Sequence, residues 1–174
     1  VTTMAIASSS TSDYNTEGFF GQAQYNYDNR YFASASYRRD ASSYFDPDHR
    51  WGNFWSLGGA WLVNKEAWFD VDWIDELKLK ASYGEQGNDN IGYYNYITTY
   101  NIVNSNGSLA LTPRQLGNSK ISWEKSGEFN LGLEFSLLKS RLTGSVEYYY
   151  RKTSDMLSWF SLPASFGFTG YYDN

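Results

Sequence analysis

The fold class this sequence predicts is all-β: an antiparallel, up-and-down portion of a transmembrane β-barrel. Three observations carry it. Six segments alternate residue by residue between an apolar and a polar face, the period of a strand with a different solvent on each side. The connections sort by length, so that the long ones all fall on one end of the meander. Aromatic residues are abundant, with 7 Trp, 16 Tyr and 11 Phe in 174 residues, and many sit at strand ends.

Residues Val1 to Thr16 carry a Ser/Thr run and read as loop. From Glu17 to Tyr27 the odd positions are Phe19, Gly21, Ala23, Tyr25 and Tyr27; the even ones are polar or Gly apart from Phe20. Asp28, Asn29 and Arg30 supply turn chemistry, and Tyr31 to Arg39 resumes the pattern, which makes a hairpin. Asp40 to Gly52 is a polar loop. A third strand, Asn53 to Val63, sets Trp55, Leu57, Gly59 and Trp61 on one face. Asn64 to Asp75 is a connection of medium length, with a helical turn around Trp73 and Ile74. Glu76 to Gly84 alternates most legibly: Leu77, Leu79, Ala81 and Tyr83 oppose Lys78, Lys80 and Ser82. Glu85 to Ser119 is a long loop rich in Asn, Gly and Tyr. The fifth strand, Lys120 to Ser136, is joined by Leu137 to Ser140 to the sixth, Arg141 to Lys152. Thr153 to Asn174 is an aromatic tail or loop.

The aromatics give the apolar face a solvent. Tyr31 and Tyr37 bracket Ala33 and Ala35; Trp55 and Trp61 bracket Leu57 and Gly59. Six residues rise roughly 20 Å along a strand, or roughly 16 Å of depth at a tilt of about 40°, inside an apolar band of about 25 Å. Tyr31, Tyr37, Trp55 and Trp61 therefore suit a membrane girdle. A soluble β-sandwich also alternates, but its inner face favours Val, Ile and Leu over Tyr, Trp, Gly and Ala. Six strands do not close a membrane barrel, so the chain reads as an arc of a larger one. A closed eight-stranded barrel stays open as an alternative if the first sixteen residues and the tail each hold a strand.

Composition excludes other classes. With 14 Lys+Arg against 19 Asp+Glu the chain is acidic at −5, without the basic stripe that nucleic acid requires. It has no Cys and one His, so disulfides, thiolate chemistry and multi-His metal sites are out. No run of about 18 apolar residues predicts a transmembrane helix, and no signal peptide is recognisable at Val1. The mean hydropathy of −0.57 does not argue against a barrel, because alternation cancels in any average.

Several blocks resemble SusC/RagA-type TonB-dependent outer-membrane transporters: Tyr37 to Ser43, Trp51 to Ser56, Leu77 to Gly84 with Gln86-Gly87-Asn88, Leu116-Gly117-Asn118, Trp123 to Ser126, Asn130 to Phe135, and Tyr148 to Leu157. They occur in the family's order and cover most of Phe19 to Thr169. The resemblance implies a partial barrel domain over residues 1–174, from a 22-stranded barrel in the cell outer membrane whose plug domain and TonB box are not in this sequence. It implies import of oligosaccharides or peptides in Bacteroidetes-type bacteria. The implied partners are a SusD-like surface lipoprotein as lid, the TonB-ExbB-ExbD system and outer-membrane lipid. No cofactor, no metal and no enzyme activity are implied.

The candidate residues follow. Arg38, Lys78, Lys80, Glu124, Glu128, Glu134, Glu147 and Arg151 fall on the polar side and are expected to wall a wet lumen. The same carboxylates admit a glycosidase reading, which opposite charges on the same wall make the weaker one. Trp51, Tyr93, Tyr94, Tyr96, Tyr100 and Trp159 lie in the long loops. Flat aromatic faces there suit ligand, lid or loop packing. Phe20 and Phe32 interrupt the polar face and are expected to meet the plug. His49, beside Asp46, Asp48, Ser42 and Ser43, leaves an outer-membrane barrel enzyme as a further alternative, without the Gly-x-Ser-x-Gly elbow. Asp46-Pro47-Asp48 and Asn88-Asp89-Asn90 read as turns rather than Ca²⁺ ligands, since neither has EF-hand spacing.

Overall fold

The computed structural model describes residue 9, residues 11–105 and residues 107–174. The loop reading of residues 1–8 and 10 lies outside them. Ten strands form among the described residues: β1 (Thr16–Tyr27), β2 (Tyr31–Ser42), β3 (Trp51–Leu62), β4 (Ile74–Asn88), β5 (Thr99–Ser105), β6 (Ser108–Gln115), β7 (Glu124–Leu137), β8 (Leu142–Ser154), β9 (Ser158–Ser161) and β10 (Gly170–Asp173).

Six of them make one antiparallel sheet in the order β1-β2-β3-β4-β7-β8, the meander that the alternation predicts. β1 and β8 do not pair with each other, so no barrel closes among the described residues. The two remaining hairpins, β5–β6 and β9–β10, form separate two-stranded sheets. They occupy the Glu85–Ser119 loop and the Thr153–Asn174 tail, where the sequence reading places only loop. The tail strands therefore pair with each other, not with β1, and an eight-stranded closure finds no support in them.

Register puts like with like. Across the sheet Tyr25, Ala33, Gly59, Ala81, Leu131 and Tyr148 share one row, and Gln24, Ser34, Gly58, Ser82, Asn130 and Tyr149 the next. Successive side chains point to opposite faces, so one face of the whole sheet is apolar and the other polar. On β8 the outer residues run from Leu142 to Tyr150 without a charge. Eight steps rise about 27 Å along a strand, or about 21 Å when tilted by about 40°, within the apolar band of a membrane barrel.

The short turns concentrate strain. Asp28 and Asn29 (φ 51° and 49°) close β1–β2 with both central residues left-handed, the twist a tight hairpin wants. Leu138, Lys139 and Ser140 are all left-handed at φ 56° to 61°. Asp75 Oδ2 accepts the Ser140 N–H at 2.8 Å, and the Trp73 carbonyl accepts the Leu138 N–H at 2.9 Å. The β3–β4 connection thus braces its neighbour. Its helical turn is a 3-10 turn at Val63–Lys65, not at Trp73 and Ile74.

The buried core lies at the long-loop end. Phe45, Phe54, Ile91, Ile121 and Trp123 cluster there, with Tyr44, Tyr96, Leu157 and Tyr172 against them. This explains why β7 begins at Glu124 and not at Lys120. The Trp123 indole N–H donates to the Arg50 carbonyl at 2.8 Å and its ring packs between Phe45 and Phe54, which takes the residue out of the ladder.

Candidate functional site: a charged inner wall beneath a folded mouth

The polar face holds its charges in pairs. Lys80 Nζ sits 2.6 Å from Glu134 and 2.7 Å from Glu147, and Lys78 Nζ is 3.3 Å from Glu134. Two same-face rows toward the mouth, Arg151 grips the Glu128 carboxylate through Nε (2.7 Å) and Nη2. Arg38 Nε lies 2.5 Å from Asp40. These side chains are half-exposed, so solvent screens each pair and none adds much to stability. Their effect is to present hydrogen-bonding groups on a wall whose charges cancel locally. Seven of the eight residues expected on the wall share one face of the sheet, in three separate ion-paired groups. Glu124 stands apart at the strand end, where it accepts the Leu157 N–H (3.0 Å) and the Asn88 amide (3.2 Å) and moors the tail.

Between the charged rows lies a trough of about 680 Å³, floored by Ser34, Gly58, Ala60 and Ser82 and flanked by Lys80 and Glu147. Phe20 and Phe32 stand on the same face, Phe20 almost fully exposed.

The mouth is a folded unit. Asn95 donates to the Ile91 and Gly92 carbonyls and accepts from Gln115, which ties the loop after β4 to β6. Asn118 donates to the Tyr172 carbonyl (3.1 Å) and Asp173 (2.7 Å), which fastens β10 to the loop that leads into β7. A side chain at Gly117 would strike the Ile97–Thr98 backbone at 2.2 Å, so the two segments touch only because this residue has none. Burial, then the hydrogen bond to Asp89, pushes the Tyr14 hydroxyl up to about 12. It donates to Asp89 at 2.8 Å.

The loop aromatics divide. Tyr93 packs edge-on against Tyr44, which stacks on Tyr14, and Tyr94 follows Tyr93. Tyr96 leans on the core. Tyr100 meets Phe168 and Trp159 meets Tyr172, both edge-on. Tyr93, Tyr94, Tyr100 and Trp159 keep a large exposed face. Trp51 is placed differently from its expected group: it belongs to the apolar face, stacked on Phe19 with the Arg39 guanidinium 4.8 Å above its ring.

The girdle residues fall in two facing pairs, Tyr31 with Trp61 and Tyr37 with Trp55. The first pair is fixed by a residue that sequence patterning overlooks. Glu66 accepts from Tyr31 Oη (2.5 Å), Trp61 Nε1 (2.9 Å) and Arg30 Nη1 (3.2 Å). The Tyr31 hydroxyl first, then the Trp61 indole, hold its carboxyl below the ordinary carboxylate range. Its only sequence signal was one carboxylate five residues beyond a girdle Trp.

His49 is exposed and makes no side-chain hydrogen bond among the described residues; its backbone closes a turn on Asp46. Asp46 and Asn88 cap their own loops by accepting the N–H two residues on. Among the described residues no three His, Cys, Asp or Glu side chains gather to hold a metal, and no helix is long and apolar enough to cross a membrane, which leaves strand crossing untouched.

Comparison with known proteins gives this two-faced meander a family. The family described as TonB dependent receptor-like, beta-barrel, matches residues 2–174. The chain belongs to that family. Its members are outer-membrane β-barrel transporters, not enzymes. The chain is 36% identical over 159 residues to TonB-dependent receptor P39 of Formosa agariphila, covering 89% of this chain and 15% of that protein. It is 35% identical to TonB-dependent receptor SusC of Bacteroides thetaiotaomicron, covering 86% and 16%. Among solved structures, the RagAB peptide importer in its closed-closed state superimposes with a TM-score of 0.85 at 33% identity, over 92% of this chain and 18% of that one. The open-open state gives 0.81 at 34%. The chain thus spans under a fifth of the TonB-dependent receptors it matches.

Proposed function

We propose that these residues form a sector of the barrel wall in a TonB-dependent receptor that imports oligosaccharides or peptides across the outer membrane. The observation that carries this reading is the sheet's division into an outer face that carries no charge between its aromatic pairs and an inner face of mutually paired Lys, Arg, Asp and Glu. A wet passage asks for that wall, and a soluble module does not. In this reading Tyr93, Tyr94, Tyr96, Tyr100 and Trp159 contact the nutrient or a SusD-like lipoprotein lid. Phe20 and Phe32 meet a plug domain carried elsewhere in the receptor. TonB with ExbB and ExbD drives release through a TonB box outside residues 1–174. Trp51 serves the outer girdle.

The test is uptake. Cells expressing the full receptor should accumulate labelled maltooligosaccharide or oligopeptide only with a working TonB system. Tyr93→Ala with Tyr94→Ala should lower uptake or lid retention without altering heat-modifiable migration. Uptake independent of TonB would defeat the proposal.

A further inference from the structure

The β5–β6 hairpin stands outside the barrel sheet. Register pairs Ser105 with Ser108 at its turn, then Asn104 with Leu109, Val103 with Ala110, Ile102 with Leu111 and Tyr100 with Pro113. In an antiparallel ladder, pairs that exchange both backbone bonds alternate with pairs whose N–H and C=O groups point away. Counted from Ser105 and Ser108, the outward groups belong to Tyr100, Ile102 and Asn104 on β5 and to Leu109, Leu111 and Pro113 on β6. Pro113 has no N–H for the ladder to use, so an outward position is where it fits.

The two edges differ. Pro113 blunts β6, and so does Arg114, the extra residue where the register shifts between Thr99 and Tyr100. Proline, charge and bulges are the devices that keep an edge strand from pairing. β5 carries no charge and no proline. Among the described residues it has no second neighbour in a sheet and no further backbone–backbone bond. Tyr100, Ile102, Leu109 and Leu111 share one face of the hairpin and are all exposed, Ile102 at 71%. The base is fixed, because Gln115 donates to Asn95 and Tyr100 packs edge-on against Phe168. An open, apolar strand edge is therefore held in place at the mouth.

We infer that the free edge of β5 captures nutrient peptide by strand addition. The peptide backbone pairs with Tyr100, Ile102 and Asn104, and its alternate side chains lie beside Tyr100 and Ile102. Outward backbone groups recur every two residues, roughly 6.8 Å along a strand. That is the repeat of another polypeptide and not of a sugar chain. Main-chain bonds supply the affinity, so many peptide sequences fit. The inference rests on the import reading above and selects peptide from its two nutrient classes.

Fluorescence anisotropy tests it, with the full-length receptor in detergent and a labelled, soluble decapeptide of Ser, Thr, Val and Lys. The same peptide N-methylated at two adjacent central residues should bind at least tenfold more weakly, because one methyl always meets β5. Ile102→Pro removes an outward N–H that the β5–β6 ladder does not use. It should weaken binding roughly two- to tenfold, the weight of one hydrogen bond. Ile102→Thr keeps that N–H and should bind nearly as the wild type does. Leu111→Pro makes the same change on the β6 edge and should leave affinity unchanged. Hydrogen exchange at the Val103 amide, inside the ladder, shows whether the hairpin is intact in each variant. Where it is not, the N-methyl comparison on the wild type decides. Equal binding of the two peptides overturns the inference, as does unchanged affinity in an intact Ile102→Pro. TonB-dependent accumulation of maltooligosaccharide without peptide binding overturns it too, and leaves the import reading standing. No TonB-dependent uptake of either nutrient removes both.

Discussion

Gly87→Ala, set against Gly21→Ala, puts the mouth core to a quantitative test. An added methyl at Gly87 would lie 2.1 Å from the Phe54 ring, whereas one at Gly21 meets nothing within 4 Å. Phe54 is 5% exposed and packs on Trp123, so it has little room to retreat. Forcing a methylene into such packing costs about 1–3 kcal/mol. Gly21→Ala, by contrast, removes only unfolded-state freedom and stabilises by about 0.4–1 kcal/mol. Hydrogen exchange in the full-length receptor is the assay. The Ile91 and Ile121 amides bond to the Asp89 and Asn118 carbonyls and report opening of the mouth. Gly87→Ala should speed their exchange roughly five- to 150-fold, since about 1.4 kcal/mol is a factor of ten. Amides of β2 and β8 should stay protected. Equal exchange in the two variants would refute the claim that Phe54 is clamped by a missing side chain.

Three further outcomes are expected. Glu66 is held below its ordinary value, so it stabilises the fold above the unfolded carboxyl range and loses that contribution as pH falls through the lowered folded value. Unfolding midpoints of wild type and Glu66→Gln should converge in acid and separate at neutrality. Lys139→Gly relieves a left-handed residue and should raise the urea midpoint by about 1 kcal/mol equivalent. Glu134→Gln leaves Lys78 without its carboxylate while Lys80 keeps Glu147, so the unfolding midpoint should move little, and what difference there is should shrink in high salt.

Much of the sheet was legible because two solvents impose a period of two, and the register rows then follow from keeping each face intact. Glu128 with Arg151 and Lys80 with Glu134 were placed on one wall by that logic alone. The mouth was not legible, because its order comes from distant partners. Nothing local marks Asn118 as the residue that seizes Tyr172 and Asp173, or Gly87 as the seat of Phe54. The β5–β6 hairpin left a trace in the Asn104 to Gly107 turn between Ile102 and Leu109, hidden by the polar residues around it. Trp51 reads as part of the Asp40–Gly52 loop because polar neighbours hide the start of β3, whereas its pairing with Ala41 begins the strand two residues earlier and sets it on the apolar face.

At Gly58 and Gly59 the wall is a single polypeptide layer with the trough on one side and the apolar face on the other. The sequence is free of cysteine. One thiol introduced at either position would be the sole reactive label in these residues. A shift of one place along the chain would carry that label from aqueous reagents to hydrocarbon-soluble ones, so neighbouring substitutions here form a ruler for which solvent each side meets.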